Sequence, residues 1–246
     1  HEELGFWRKY VFSVDHKTIG IQYAITGLLF LFFGFCLMML MRWQLAFPGT
    51  PVPVVGGLLG PDNAPGGVMA PEFYNQLGAM HGTIMIFLAV VPLAVGGFGT
   101  YLVPLMLGAR EMAFPRLGAV GFWAYAAAGG VMLASFFVTG GAANNGWTSY
   151  PPLSVLSPTS GQTFWLVGMV LLATSAVLGS INTIVTIIQM RAPGMTFMRM
   201  PFFLWAQLVT AFLLLLAFPP LEVAALMQLM DRLAATSFFL PSGLVV

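Results

Sequence analysis

The sequence predicts an all-α, polytopic membrane protein: a bundle of five transmembrane helices that forms a single membrane domain over residues 1–246. Hydrophobic residues make up 59% of the chain and charged residues only 7%, whereas a soluble domain carries about 25% charged residues. Four long stretches have no charged residue at all, and loops rich in proline and glycine separate them. This composition excludes a disordered segment, a basic nucleic-acid-binding domain and an ordinary water-soluble enzyme.

The uncharged stretches define the helices, because a spanning helix needs about 20 mainly apolar residues. Three of the stretches, 18–41, 73–109 and 200–221, each fit one helix. The stretch 117–190 is too long for one, and the Asn-Asn-Gly and Pro-Pro turn signals within 140–161 divide it. The predicted helices are 17–43, 73–107, 117–138, 162–190 and 201–230.

The basic residues predict the orientation, since lysine and arginine collect on the cytoplasmic side. An odd number of spans puts seven of them on one side and leaves Arg42 and Arg232 on the other. We therefore expect a cytoplasmic amino terminus and an outer carboxyl terminus. No signal-peptide pattern is visible, and the lone Cys36 is best explained as helix filler.

His81 is the first candidate for chemistry, because polar residues at membrane depth are costly and are functional suspects. It follows Gly78 and Ala79 and precedes Gly82, so a flat macrocycle would have room beside the helix. Histidine is also a common axial ligand of haem iron. Spacing alone leaves two interpretations equally open: a haem ligand, or a buried histidine bonded to a neighbouring helix. His16 is expected to lie outside the bilayer, where it cannot serve as the haem ligand.

Two carboxylates stand out. Glu111 lies between Arg110 and Arg116 in the loop after the second helix; it is either a solvated loop carboxylate, the favoured interpretation, or a proton collector at a channel mouth. Glu222 lies within the fifth helix, where an ionised carboxylate is costly, so it is expected to be protonated or partnered. The sequence assigns Glu222 no role.

The fourth helix carries a face of polar residues, Ser175, Asn182 and Thr186, at helical spacing. Such residues can hold a file of water, although packing against a neighbouring helix is favoured over that role. Arg42, at the outer end of the first helix, is either an interfacial anchor or a donor to a cofactor. Arg42 and His81 are predicted on the same side of the membrane.

A series of motifs resembles subunit I of the haem-copper terminal oxidases, in the same order along the whole chain, and the A-type branch in particular. The stretches that carry the resemblance are Asp15-His16-Lys17-Thr18-Ile19-Gly20 with Tyr23, His81-Gly82-Thr83-Ile84-Met85-Ile86-Phe87, Gly96-Gly97-Phe98-Gly99, 108–116, Gly146-Trp147, Tyr150-Pro151-Pro152-Leu153 and 190–195. Such a succession is far more specific than any single short motif.

The resemblance implies a role for each candidate. His81 matches the ligand of the low-spin haem, and Arg42 matches the arginine that bonds the formyl group of haem A, with haem B as the other possibility. Glu111 stands where the family has an aspartate at the mouth of the D proton pathway. Tyr23, Ser175 and Asn182 match polar positions of that pathway.

The sequence also departs from the family pattern. Thr100 replaces an asparagine of the pathway, Gly118 and Ala119 replace an asparagine pair, and Ala176 thins the serine cluster of the fourth helix. These changes put proton pumping in doubt. Gln44 replaces a glutamate associated with a calcium or sodium site, so we expect no such ion.

The resemblance further implies that these are the first five of twelve helices. The high-spin haem, copper B and the second ligand of the low-spin haem belong to the remaining part of subunit I. The chain is expected to act as a proton-translocating cytochrome c oxidase only together with that part. Subunits II and III, cytochrome c or quinol as donor, and membrane lipid are the expected partners, in a bacterial plasma membrane rather than a mitochondrial one. The rival interpretations are a quinol oxidase, a nitric oxide reductase-like member of the superfamily, and a transporter or non-catalytic membrane subunit; nucleic acid is not expected.

Overall fold

The computed structural model describes residues 5–240, and within this range the fold is helical, with no β-strand. Five helices are long and apolar enough to cross a membrane: α1 His16–Ala46, α2 Pro71–Leu107, α3 Pro115–Phe137, α4 Ser160–Gln189 and α5 Phe202–Ala234. The five predicted helices are thereby confirmed. Their ends differ from prediction by up to four residues, the largest difference being the longer carboxyl end of α5.

Local sequence explains where the first two helices begin or end. The carboxylate of Asp15 caps α1 by accepting hydrogen bonds from the backbone N–H groups of Lys17 and Thr18, at 2.7 and 3.1 Å. Helix α2 starts at Pro71, whose missing N–H has no partner to lose at a first helical position. It ends at Gly108, whose φ of 74° is a left-handed conformation that glycine adopts without strain.

Helix α2 is wound more widely in its middle than an ordinary α-helix. Residues Ile84–Val90 and Pro92–Gly99 form π-helical segments, with hydrogen bonds to the fifth residue along the chain instead of the fourth. Pro92 lacks the N–H that a regular turn would use. Segments of this kind are rare and are frequently found at functional sites, and the segment Ile84–Val90 follows directly on the turn that carries His81.

The chain divides into two compact units. Each spanning helix contributes one part of its length to the first unit and the other part to the second. The first comprises residues 1–28, 89–128 and 169–224, and the second residues 29–88, 129–168 and 225–246. The core of the first unit contains an apolar cluster from α2, α4 and α5: Val103, Leu107, Ile184, Ile187, Met200, Leu204, Leu208 and Ala211.

In the second unit, side chains from two helices fasten the connection between α3 and α4. Gln76 of α2 donates to the carbonyl of Gly140 at 2.9 Å. Arg232 of α5 donates to the carbonyls of Ser154, Val155, Ser157 and Thr159 at 2.9–3.0 Å. Arg232, which the basic-residue pattern placed at the outer ends of the helices, thus anchors a loop through its backbone.

Helical glycines allow aromatic rings to approach the backbone. A Cβ atom on Gly96 would lie 2.6 Å from the ring of Tyr23, and one on Gly129 would overlap the ring of Phe30. At these two positions the space beside the glycine is filled by protein.

The pair Gly129 and Gly130 provides a matched test of this packing. We expect Gly129→Ala to destabilise the assembled protein by about 1–3 kcal/mol, because the methyl group would overlap Phe30. Gly130→Ala is the control, since nothing lies within 4 Å of its added Cβ and alanine is the better helix former. Thermal unfolding of both purified variants checks this; equal unfolding temperatures would contradict the account of the Phe30 contact.

Candidate functional site

The first candidate group lies in the second unit, around His81. His81 follows Pro71 by about 15 Å along α2, at 1.5 Å per residue. Its side chain is half-buried, and its Nδ1 atom lies 2.8 Å from the backbone carbonyl oxygen of Gly34 in α1. Since a carbonyl oxygen only accepts, Nδ1 must carry the hydrogen. The neutral ring therefore keeps its lone pair on Nε2, the form in which histidine ligates a metal.

Small residues surround this histidine. Gly78, Ala79 and Gly82 are all only partly buried, but a Cβ atom added to Gly78 would lie 3.2 Å from Met41 and one added to Gly82 would lie 3.3 Å from the ring of Trp147, so protein side chains already lie against both glycines. Gly34, which accepts the hydrogen bond, has Met85 so close that an added Cβ would lie 2.6 Å from the sulfur atom. What fits a haem here is the imidazole itself, whose Nδ1 is engaged by Gly34 and whose Nε2 would hold the iron.

Arg42 lies on α1, the helix that also carries Gly34. Within residues 5–240, no side-chain hydrogen bond or ion pair of Arg42 defines its role. It follows Gly34 by about 12 Å along α1, at 1.5 Å per residue, and its side chain is exposed. The neighbouring Met41 lies against Gly78, one turn of α2 before His81. Arg42 thus lies in the second unit with His81, and its exposed guanidinium is accessible to a group from outside the described residues.

The second candidate group lies in the first unit and begins at Glu111. One carboxylate oxygen of Glu111 lies 3.1 Å from Nδ1 of His16 and accepts the backbone N–H of the same residue at 3.3 Å. The His16 side chain is 2% exposed and the Glu111 side chain 39%, so the pair joins a buried imidazole to the protein surface. Ligand atoms of Asp15, His16 and Glu111 all lie within 4.8 Å of one another, a spacing that a cation could bridge.

Polar side chains of α4 hold the segment that follows Glu111. The amide of Asn182 accepts the backbone N–H of Phe114 at 2.9 Å and donates to the Phe114 carbonyl at 3.1 Å. Thr186 accepts the N–H of Ala113 at 2.9 Å. These bonds fix helix α4 to the start of α3, so the packing role that was favoured for this face is present.

Farther along the same face, Ser175 and Tyr23 meet. Ser175 donates its hydroxyl hydrogen to the carbonyl of Gly121 at 2.7 Å. The oxygen atoms of Ser175 and Tyr23 are 3.4 Å apart, and since the serine hydrogen is already used, the tyrosine is the donor in this contact. Ser175 precedes Asn182 by about 10 Å along α4, and no hydrogen bond joins the two within the described residues. Glu111, Asn182, Ser175 and Tyr23 all belong to the first unit and are called the polar row below.

Two other predicted residues have different surroundings. Thr100 is partly buried, and within residues 5–240 its hydroxyl makes no hydrogen bond to a member of the polar row. Glu222 has a partner, because the hydroxyl oxygen of Thr174 lies 2.7 Å from one of its carboxyl oxygens. The expectation that Glu222 is protonated or partnered is thus met by a neighbour on α4.

Comparison with known proteins places this architecture in a family. The profile described as "Cytochrome C and Quinol oxidase polypeptide I" matches residues 18–246. The chain belongs to this family. It is similar to cytochrome c oxidase subunit 1 of Thermostichus vulcanus (45% identity over 99% of this chain and 41% of that protein) and of a Synechocystis species (47% identity over 96% and 40%). The alternative cytochrome c oxidase subunit 1 of Bradyrhizobium diazoefficiens is 41% identical over 97% of this chain and 38% of that protein.

The family membership confirms the resemblance that the motifs indicated. It implies haem and copper as cofactors, and the five apolar helices make the chain an integral membrane protein. The chain spans about two fifths of the length of the curated relatives that it matches.

Sequence reasoning missed the part of His16, which it considered only as a haem ligand. The Asp-His-Lys start of α1 was visible, but the carboxylate that His16 meets is 95 residues away. It also missed the backbone groups of Phe114 and Gly121, because a carbonyl or an N–H leaves no trace in residue type.

Proposed function

We propose that this chain is the haem-binding, amino-terminal part of the catalytic subunit of a cytochrome c oxidase, which passes electrons from cytochrome c to oxygen and translocates protons. The single observation that carries the proposal is the imidazole of His81, held by Gly34 with its Nε2 lone pair available. The family to which the chain belongs and the printed names of its relatives support the reaction class.

In this proposal, His81 would hold the low-spin haem through its Nε2 atom, and the haem would supply one-electron transfer. The carbonyl of Gly34 fixes the tautomer and the ring orientation, and its hydrogen bond makes Nε2 a stronger donor. Arg42 is proposed to bond a polar substituent at the haem edge, the formyl group if the haem is haem A. The high-spin haem and copper B are assigned to the remaining part of subunit I.

The polar row of the first unit is proposed as the proton route. Glu111, partly exposed, takes up a proton from water, and its hydrogen-bonded contact with His16 gives the proton a second place to reside. Asn182 holds the backbone beside Glu111, and the hydroxyls of Ser175 and Tyr23 continue the row. Thr100 is proposed to add a further hydroxyl from α2, in the place of the family's asparagine.

The proposal sets the chain in a bacterial plasma membrane, with its amino terminus in the cytoplasm. This orientation brings Glu111 to the cytoplasmic side, where protons are taken up, and His81 nearer the outer side, where a donor docks. The proposed partners are the rest of subunit I together with subunits II and III.

Oxygen consumption by the purified complex tests the proposed reaction. We expect reduced cytochrome c to support turnover and a quinol to give much less. Turnover with quinol alone would instead favour a quinol oxidase, the second candidate, which the family description includes by name. Reduction of nitric oxide without oxygen consumption, or a complex without any haem absorbance, would contradict the proposal.

A further inference from the structure

Glu222 is a carboxyl group that the proposed electron and proton routes do not use. It lies at least about 18 Å from either end of α5, at 1.5 Å per residue, with Leu221 and Val223 as its chain neighbours. Within residues 5–240, no lysine, arginine or histidine nitrogen forms an ion pair with it. Its side chain is partly buried. A carboxylate at this depth without a cation is strongly disfavoured, because one threonine hydroxyl does not replace the water that would solvate its charge.

The contacts of Thr174 indicate where the hydrogen atoms are. Its Oγ1 atom lies 2.9 Å from the carbonyl oxygen of Val170 and 2.7 Å from Oε1 of Glu222. A hydroxyl has one hydrogen to donate and two lone pairs that accept. If both neighbours were pure acceptors, the single hydroxyl hydrogen would have to be shared between two oxygen atoms, and neither short contact would be a full hydrogen bond.

A protonated Glu222 removes this conflict. The threonine hydroxyl donates to Val170, the usual bond of a helical threonine to the carbonyl four residues earlier. The carboxyl O–H of Glu222 then donates to Oγ1 of Thr174. Each hydrogen has one acceptor, and the carboxyl group carries no charge.

We infer that Glu222 is a neutral carboxylic acid that holds a proton at membrane depth and donates its hydrogen bond to Thr174. An apolar site that keeps a carboxylic acid neutral so that it can donate is a known device of enzymes. The inference does not depend on the proposed function, because it rests on the depth of Glu222 within α5, the absence of an ion pair within residues 5–240, and the contacts of Thr174.

This proton-holding site is separate from the polar row. Thr174 and Ser175 are adjacent on α4, and consecutive residues of a helix point in directions about 100° apart. Ser175 bonds Gly121 of α3, while Thr174 bonds Glu222 of α5. Helix α4 thus carries two hydroxyls at one level, each directed to a different neighbouring helix.

Infrared absorption of the whole purified complex tests the inference without using activity. The difference spectrum between wild type and Glu222→Gln should contain a carbonyl-stretching band of a protonated carboxylic acid, which moves to lower wavenumber in heavy water. Thr174→Val removes the hydroxyl at almost constant shape, so the band should move to higher wavenumber. Thr174→Ser is the matched control and should leave the band in place.

Two results would overturn the inference. A Glu222→Gln difference confined to the carboxylate-stretching region would show an ionised group whose partner lies outside the described residues. A band that stays in place in Thr174→Val would show that the carboxylic acid does not donate to this threonine.

Discussion

Replacement of His81 by alanine is expected to abolish the low-spin haem absorbance of the reduced complex. The imidazole is oriented by the 2.8 Å hydrogen bond to Gly34, and alanine offers no atom that could ligate iron. Electron transfer through this haem would stop with it, so oxygen consumption should fall to background. Reduced-minus-oxidised spectra of the purified variant, with haem content measured separately, check both expectations.

His16→Ala is the matched control for that experiment. His16 is a second histidine of the chain, but its buried ring bonds Glu111 in the first unit. Its removal should leave the low-spin haem spectrum intact. A His81→Ala variant whose reduced spectrum equals that of wild type would exclude His81 as the ligand.

Replacement of Glu111 by alanine is expected to slow proton uptake by about 100-fold, the lower end of what a positioned proton-transfer group contributes. Haem reduction by the electron donor should change little, because the proposal gives Glu111 no part in it. Proton uptake is expected to slow because this carboxylate is partly exposed to water and contacts the buried His16. A pH-indicator dye in stopped flow, recorded together with haem absorbance, separates the two rates.

Two variants sharpen the Glu111 experiment. Glu111→Asp keeps a carboxylate, one methylene shorter, and should retain most of the uptake rate. Glu72→Ala removes an exposed carboxylate at the start of α2 and should have no effect. Equal slowing of proton uptake and haem reduction in Glu111→Ala would remove this residue from the proton route.

The helices could be predicted from the sequence because an uncharged, mainly apolar run of about 20 residues or more has the length and composition of a membrane span. Their ends could be predicted less well. Helix α1 starts at His16, directly after the Asp15 cap, and α5 continues past residue 230 to Ala234. Such differences follow from capping and loop contacts, which hydropathy does not report.

The candidate site depended on the resemblance to a much greater extent. Composition and spacing supported two interpretations of His81 equally, a metal ligand and a packed histidine. The hydrogen bond that selects its tautomer joins residues 47 positions apart. The Tyr23–Ser175 contact spans 152 positions. No helical period could pair these residues, whereas the resemblance to the family singled out His81, Tyr23 and Ser175.

At positions where the sequence departs from the family pattern, the resemblance gives no guide to a residue's contacts. The replacement of the pathway asparagine by Thr100 was visible in the sequence, and within the described range this hydroxyl makes no hydrogen bond to a member of the polar row. Glu222 stands out in the sequence as a carboxyl group within a spanning helix, but its hydrogen-bonded partner Thr174 lies 48 positions away in the chain and carries no signal that would pair the two.

The most direct measurement of the central claim is a density map of the assembled complex around α2. The account predicts a planar tetrapyrrole whose iron is bonded to Nε2 of His81, with Nδ1 of the same ring still donating to the Gly34 carbonyl. A map in which the imidazole contacts only protein, or ligates through Nδ1, would contradict it.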